Sequence, residues 1–225
     1  MKKIGLYEEL AYVLGLMLLG FGTAFMEKSD FGLSMIVAPA YILHVKISEY
    51  LPFFSFGMSG YVLQTFLLIV LCLIIRRFKL RYLMSFATAV IYGFVLDACI
   101  FICTNIPSDH LALKITYYIV GLIISDAGLA FLFKTYISPE VYDLFVKELT
   151  ERFNLKLSSV KTIYDCCSLL IAILLSFILF GFKLPVGVGI GTVVCAVING
   201  TLIGFFTGIY NKLFTYKRLF RIKGD

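Results

Sequence analysis

The stretch "GLMLLGFGTAFMEKSDFGLS", residues 15–34, decides the fold because the chain carries it twice. It aligns without a gap on "GLIISDAGLAFLFKTYISPE", residues 121–140, at an offset of 106. Gly15 meets Gly121, Gly22 meets Gly128, Ala24–Phe25 meets Ala130–Phe131, and Lys28 meets Lys134. Further on, "AVIYG" at 89–93 nearly repeats as "AVING" at 196–200, at an offset of 107. An offset that holds over about eighty residues marks a duplicated unit rather than chance likeness.

The units are built for lipid. The chain is 60% hydrophobic and 15% charged, with a mean hydropathy of +0.96. A soluble domain of 225 residues cannot hide that much apolar surface. Six apolar runs, at roughly 8–26, 53–75, 82–103, 113–133, 160–180 and 185–210, reach the about 20 residues that a helix needs to cross a bilayer. The first begins with "MKKIGLYEEL" and superficially resembles a signal peptide. Glu8 and Glu9 spoil its basic region and no small-x-small cleavage site follows, so it reads as a retained span. The expected fold is therefore all-α, a polytopic membrane protein with six transmembrane helices. Residues 1–106 form the first three-span repeat, and 107–225 the second with a basic cytoplasmic tail. Three is odd, so the two halves must enter the membrane from opposite sides.

The basic residues require the same inversion. With both termini cytoplasmic, the inside holds Lys2, Lys3, the "RRFKLR" loop at 76–81, Lys134, Lys147, Arg152, Lys156, Lys161 and the tail from Lys212 to Lys223. Of the 20 Lys+Arg residues, only Lys28, Lys46, Lys114 and Lys183 fall outside. That bias sets orientation. The net charge of +6 is then a topology signal, and no nucleic-acid partner is implied.

Each unit has a connector between its first and second spans. In the second, "SPEVYDLFVKELTERFNLKLSS" puts Val141, Leu144, Phe145, Leu149 and Phe153 on one helical stripe, with Asp143, Lys147, Glu148 and Arg152 mostly elsewhere. This predicts an amphipathic interfacial helix started by Ser138–Pro139. The first connector, "GLSMIVAPAYILHVK", is almost wholly apolar and too short to cross twice, which predicts a re-entrant or deeply embedded helix.

The last span, "VGVGIGTVVCAVINGTLIGFFTG" at 186–208, holds the candidate site. Gly200, Gly204 and Gly208 recur every four residues and predict a packing seam between the halves. Two readings stand for Gly187, Gly189, Gly191 and Thr192: a second packing stretch, or an unwound helix opening whose N–H groups face a cavity. A nucleotide-binding loop is excluded, since no strand precedes it and no Lys-Ser/Thr follows. Asn199 either makes an interhelical hydrogen bond or touches substrate. Among the acids, Asp97 and Asp126 lie near the middle of their spans, where a charge costs about 3 kcal/mol, so both are expected to face the bundle interior. Ser125 and Gly121 make the surroundings of Asp126 polar and thin, which favours it as a proton- or cation-coupling group. Asp165 is expected to snorkel beside Lys161, and Lys28 and Lys134 to anchor opposite faces or to form mouths for an anionic solute. All six cysteines fall in spans and read as packing residues. Cys99 and Cys103 near Asp97 make only a fragment of a metal site, and no cofactor is implied.

Several of these residues together resemble a known family. "KSDFGLS" after the first span, "SFG" before the second, the paired acidic positions in "YDLF" and "VKTIYD", and "GVGIGT" opening the last span are similar to the YczE/YitT-type bacterial membrane proteins. The resemblance covers essentially the whole chain and is closest to the shorter YczE-like branch without a soluble C-terminal domain. It implies six-span inverted repeats in the cytoplasmic membrane and a transport role. The chain departs from the family's pattern at Met35, where Pro commonly follows Gly-x-Ser, and at "SFAT" in the first half, where the second keeps "GIGT". The expected activity is secondary transport or export of a small solute. The competing expectation is a non-transporting accessory protein supporting a biosynthetic or envelope complex. An enzyme is not expected, since the sequence has no nucleophile–base pair or metal motif. Lipid and a small solute are the implied partners, and a homo-oligomer stays an open alternative.

Overall fold

The computed structural model describes residues 3–32, 34–54, 56–76, 78–103, 106–107, 110–181 and 188–219. Eight α-helices run in chain order: α1 (Glu8–Ser29), α2 (Ala38–Ser48), α3 (Phe56–Ile75), α4 (Met84–Cys103), α5 (Leu111–Leu132), α6 (Val141–Phe153), α7 (Leu157–Phe180) and α8 (Ile190–Leu213). Six of them, all but α2 and α6, are long and apolar enough to cross a membrane. The chain is thus an all-α polytopic membrane protein, as its apolar runs require. Large apolar side chains such as Phe94, Phe101 and Ile178 are at least 73% exposed, a surface that only lipid or another protein would cover.

Local signals set the helix ends. Glu8 and Glu9 occupy the first turn of α1, where the helix dipole favours anions. Pro39 sits in the first turn of α2, where its missing N–H removes no helical bond. Gly181 closes α7 at φ 74°, a conformation that residues with a Cβ rarely adopt, and its N–H bonds to the Phe177 carbonyl.

Two short strands, β1 (Ile4–Tyr7) and β2 (Phe214–Lys217), pair in parallel with Ile4 opposite Phe214. Neither was expected from the sequence. β1 runs directly into α1 and β2 leaves α8, so the start of the first span and the end of the last lie at the same end. An even number of crossings follows. The pairing is reinforced by Glu8 and Glu9. Glu8 accepts from the Tyr136 N–H at 2.6 Å, and Glu9 accepts from the Leu219 N–H at 3.1 Å and from the Tyr136 hydroxyl at 3.0 Å. Burial, and then the two glutamates, push the Tyr136 phenol up from its usual range.

The chain divides into two compact units that cut across the sequence repeats. The first takes Met1–Ser29, Leu80–Glu140 and Leu202–Asp225; the second takes Asp30–Lys79 and Val141–Thr201. Each draws corresponding elements from both halves.

In the first unit α1 and α5 pack antiparallel along glycines. A Cβ on Gly15 would meet the Gly128 carbonyl and Leu132; one on Gly121 would meet the Gly22 carbonyl and Met26. A Cβ on Gly22 would strike Ser125 and Gly121; one on Gly128 would strike Leu19 and Gly15. At the offset of 106 these contacts map onto one another, residue by residue. α4 also packs on α1, through Ala24, Cys99 and Cys103. Tyr210 from the end of α8 stacks on Phe131, with ring centroids 4.0 Å apart.

In the second unit α2 packs on α3 and α7, and α6 packs on the same two helices. Ala38 and Ile42 meet Ala172 in one apolar cluster. These pairings again exchange under the repeat: α2 on α7 corresponds to α6 on α3.

Candidate functional site

The second unit holds a buried ionic cluster. Lys161 lies in the second turn of α7, and Asp165 one turn further on the same face. Asp143 comes from the first turn of α6, where the helix N-terminus favours a carboxylate. The Lys161 ammonium donates to Asp143 Oδ1 at 2.9 Å and lies 3.2 Å from Asp165 Oδ1. Lys161 and Asp165 are both 0% exposed and Asp143 is 5% exposed. Tyr164 closes one side, with the ammonium 5.9 Å from its ring centroid, and Phe145 packs on that ring. Removing one partner of such a pair leaves an uncompensated buried charge, at a cost of about 3–5 kcal/mol. Asp165 does meet Lys161 as the sequence suggested, but it does not snorkel. α6 packs across this part of α7, and the pair is closed off.

The same cluster corrects the reading of α6. Its inward face includes Asp143 and Glu148 beside Val141, Leu144 and Val146, while Phe153 is exposed. Each acid is drawn inward by a cation: Asp143 by Lys161, and Glu148 by Lys79 at 2.8 Å. A stripe chosen on hydrophobicity alone cannot register that attraction. At an offset of 106 Asp165 falls on Ser59, a buried hydroxyl that donates to the Ala40 carbonyl at 2.6 Å. The charge therefore belongs to one half only.

Beside it the start of α8 docks on the loop after α1. The Gly191 N–H donates to the Phe31 carbonyl at 2.9 Å, and the Gly189 N–H to the Thr192 hydroxyl at 3.1 Å. A Cβ on Gly189 would strike the Phe31 carbonyl, and one on Gly32 would come within 2.7 Å of Gly189 and Thr192. Gly32 has φ 113°, so glycine is needed there for backbone reasons as well. The "KSDFGLS" and "GVGIGT" motifs thus meet at Phe31–Gly32 and Gly189–Thr192. The N–H groups of Gly189 and Gly191 are used within the chain, which goes against an opening that aims them at a cavity. Gly187 and Lys183 lie outside the described residues, as do Lys2, Arg77, Arg221 and Lys223 from the charge count. Met35 is fully buried, and its carbonyl accepts from Ser168 on α7 at 2.8 Å.

The other expected site residues fall in both units. Asp126 is 2% exposed and Ser125 7%, both in the first unit, with the Ser125 hydroxyl bonded to the Leu122 carbonyl at 3.0 Å. Asn199 belongs to the second unit, and its Oδ1 is buried without a hydrogen bond among the described residues. Asp97, expected to face inward, is exposed. The buried face of α4 carries Ser85, Thr88, Cys99 and Cys103, and Asp97 lies about 200° from Cys99 around the helix. It therefore does not join the two cysteines in a metal site. Among the described residues, no three His, Cys, Asp or Glu side chains cluster as a metal site would need.

The glycine seam is also placed differently. Gly200 packs tightly on Ser158 and Thr162 of α7, inside its own half. A Cβ on Gly208, or on Gly93, would meet nothing within 4 Å, and Gly204 is half-buried. In the first unit the halves meet through Gly15, Gly22, Gly121 and Gly128 instead.

The sequence pattern of a family of unknown function (DUF6198) matches residues 6–208. No curated protein and no solved structure matches the chain.

Proposed function

For a chain that belongs to the DUF6198 family of unknown function, we propose secondary transport of a small solute across the bacterial cytoplasmic membrane, by two inverted three-span repeats. The observation that carries this reading is the α1–α5 seam. Its contacts exchange under the offset of 106, and its helices run in opposite directions, as a two-fold axis in the membrane plane requires. Inverted repeats of this kind underlie many secondary transporters. The likeness to YczE/YitT-type proteins and the basic bias of the loops support cytoplasmic termini. Two buried intramembrane acids stand as coupling groups on this reading, Asp126 in α5 and Asp165 in α7.

The test begins with a thermal-shift screen of solutes on the purified protein, where a ligand at 100 times its Kd adds about 2.7 kcal/mol. Hits are then assayed for uptake into proteoliposomes. Transport predicts at least one stabilising solute that crosses only protein-containing vesicles. The accessory-protein reading predicts instead that no solute stabilises the chain, and a solute that binds without crossing would go against transport.

A further inference from the structure

We propose that Asp143, Lys161 and Asp165 form a proton-binding site that carries one exchangeable proton on Asp165. That this proton drives solute movement rests on the transport reading above; that the site binds it does not.

With every group ionised, two carboxylates surround one ammonium and the cluster carries one net negative charge. All three residues are at least 95% buried, Lys161 and Asp165 in a helix built to lie in lipid and Asp143 on α6 packed against it. A net charge there costs several kcal/mol unless it is neutralised. One added proton makes the cluster neutral, and Asp165 is the group placed to take it. Asp143 Oδ1 receives a hydrogen bond from Lys161 at 2.9 Å, whereas Asp165 Oδ1 lies further from the ammonium, at 3.2 Å, and its Oδ2 has neither a hydrogen bond nor an ion pair among the described residues. The groups facing it are Lys161 and Tyr164 from its own helix, and Asp143 beside Tyr142 from α6. α8 brings Ala196 and Gly200 to this side of α7, and Glu148 of α6 is engaged by Lys79. α2 meets α7 further along, at Ala172.

A metal ion is a poorer occupant. It would meet the Lys161 ammonium as a like charge and would need several more oxygen ligands. A proton needs one lone pair. The step is its addition to Asp165 Oδ2 from water on one side and its release to water; Lys161 keeps its own proton throughout. Asp165 lies about 12 Å along α7 from the helix start, so the path to that face is short.

Infrared absorption of protonated carboxyl groups, recorded on the purified full chain at neutral pH, reads the count directly. Asp165→Asn should remove the intensity of one carboxyl. Asp143→Asn should remove the same amount although Asp165 is still present, because Lys161 and one carboxylate are then already neutral. Lys161→Met should add one carboxyl, since two acids without a cation bind two protons. Asp126→Asn serves as the reference, and its effect should add independently to the others. An unchanged band in Asp143→Asn, or no gain in Lys161→Met, would overturn the site. Should one aspartate variant fail to fold, the other and Lys161→Met give the count from opposite directions. In proteoliposomes, the expected counts with no moving solute would keep the site and remove transport. Solute movement that ignores a pH gradient in the wild type would keep transport and remove the coupling.

Discussion

Gly128→Ala probes the α1–α5 seam with a single methyl group. The new Cβ would sit 2.6 Å from the Leu19 nitrogen and 2.7 Å from the Gly15 carbonyl oxygen, both main-chain atoms that no rotamer change can move. Ordinary contact begins near 3.4 Å, so the helices must part by roughly 0.8 Å along a buried crossing. Overpacking of this kind costs about 1–3 kcal/mol. At about 2–4 °C per kcal/mol for a chain of this size, melting should fall by roughly 2–12 °C. The control is the same change at Gly208, where a Cβ meets nothing within 4 Å. Alanine is the better helix former by about 1 kcal/mol, so Gly208→Ala should melt unchanged or slightly higher. Loss of helical circular dichroism on heating in detergent compares the two. Equal melting of Gly128→Ala and Gly208→Ala would refute the seam.

Other expectations follow from single contacts. Gly189→Ala should undock α8 from Phe31 and make the loop at 30–34 cleavable by protease, whereas Gly93→Ala should not. Glu148→Gln should lower stability by about 1 kcal/mol, since its partner Lys79 is partly exposed and stays hydrated, as parallel melting curves would show. Burial pushes the Lys134 ammonium below its usual range. The unfolded chain then holds that proton more tightly, so stability should rise with pH from the folded value toward the usual lysine value. Lys134→Met should therefore melt higher than the wild type at neutral pH, and the gap should narrow in alkali; a gap independent of pH would contradict the burial argument.

The spans were legible because run length alone identifies them, and their ends shifted by only a few residues. The seam was not, although all four of its glycines stood in the aligned repeat. Spacing of four residues drew attention to Gly200, Gly204 and Gly208, yet the antiparallel crossing uses glycines seven apart, two turns along each helix. The ionic cluster was half visible. The acids in "YDLF" and "VKTIYD" stood out as a motif, but nothing in one dimension says that Lys161 lies between them. Asp97 shows the converse limit. Depth in a span can be read from position, whereas the face it occupies depends on which neighbours cover the helix. The strands at 4–7 and 214–217 are too short to carry a period.

The transport reading rests on the two halves entering the membrane from opposite sides, and Lys28 and Lys134 test this most directly. Lys28 lies in the last turn of α1 and Lys134 two residues beyond α5, at the C-terminal ends of the two antiparallel helices. In a cysteine-free background, Lys28→Cys and Lys134→Cys are exposed to a membrane-impermeant maleimide in intact cells. The account predicts labelling of Lys28→Cys from outside, and of Lys134→Cys only after the membrane is opened. Labelling of both from the same side would mean parallel halves and would contradict it.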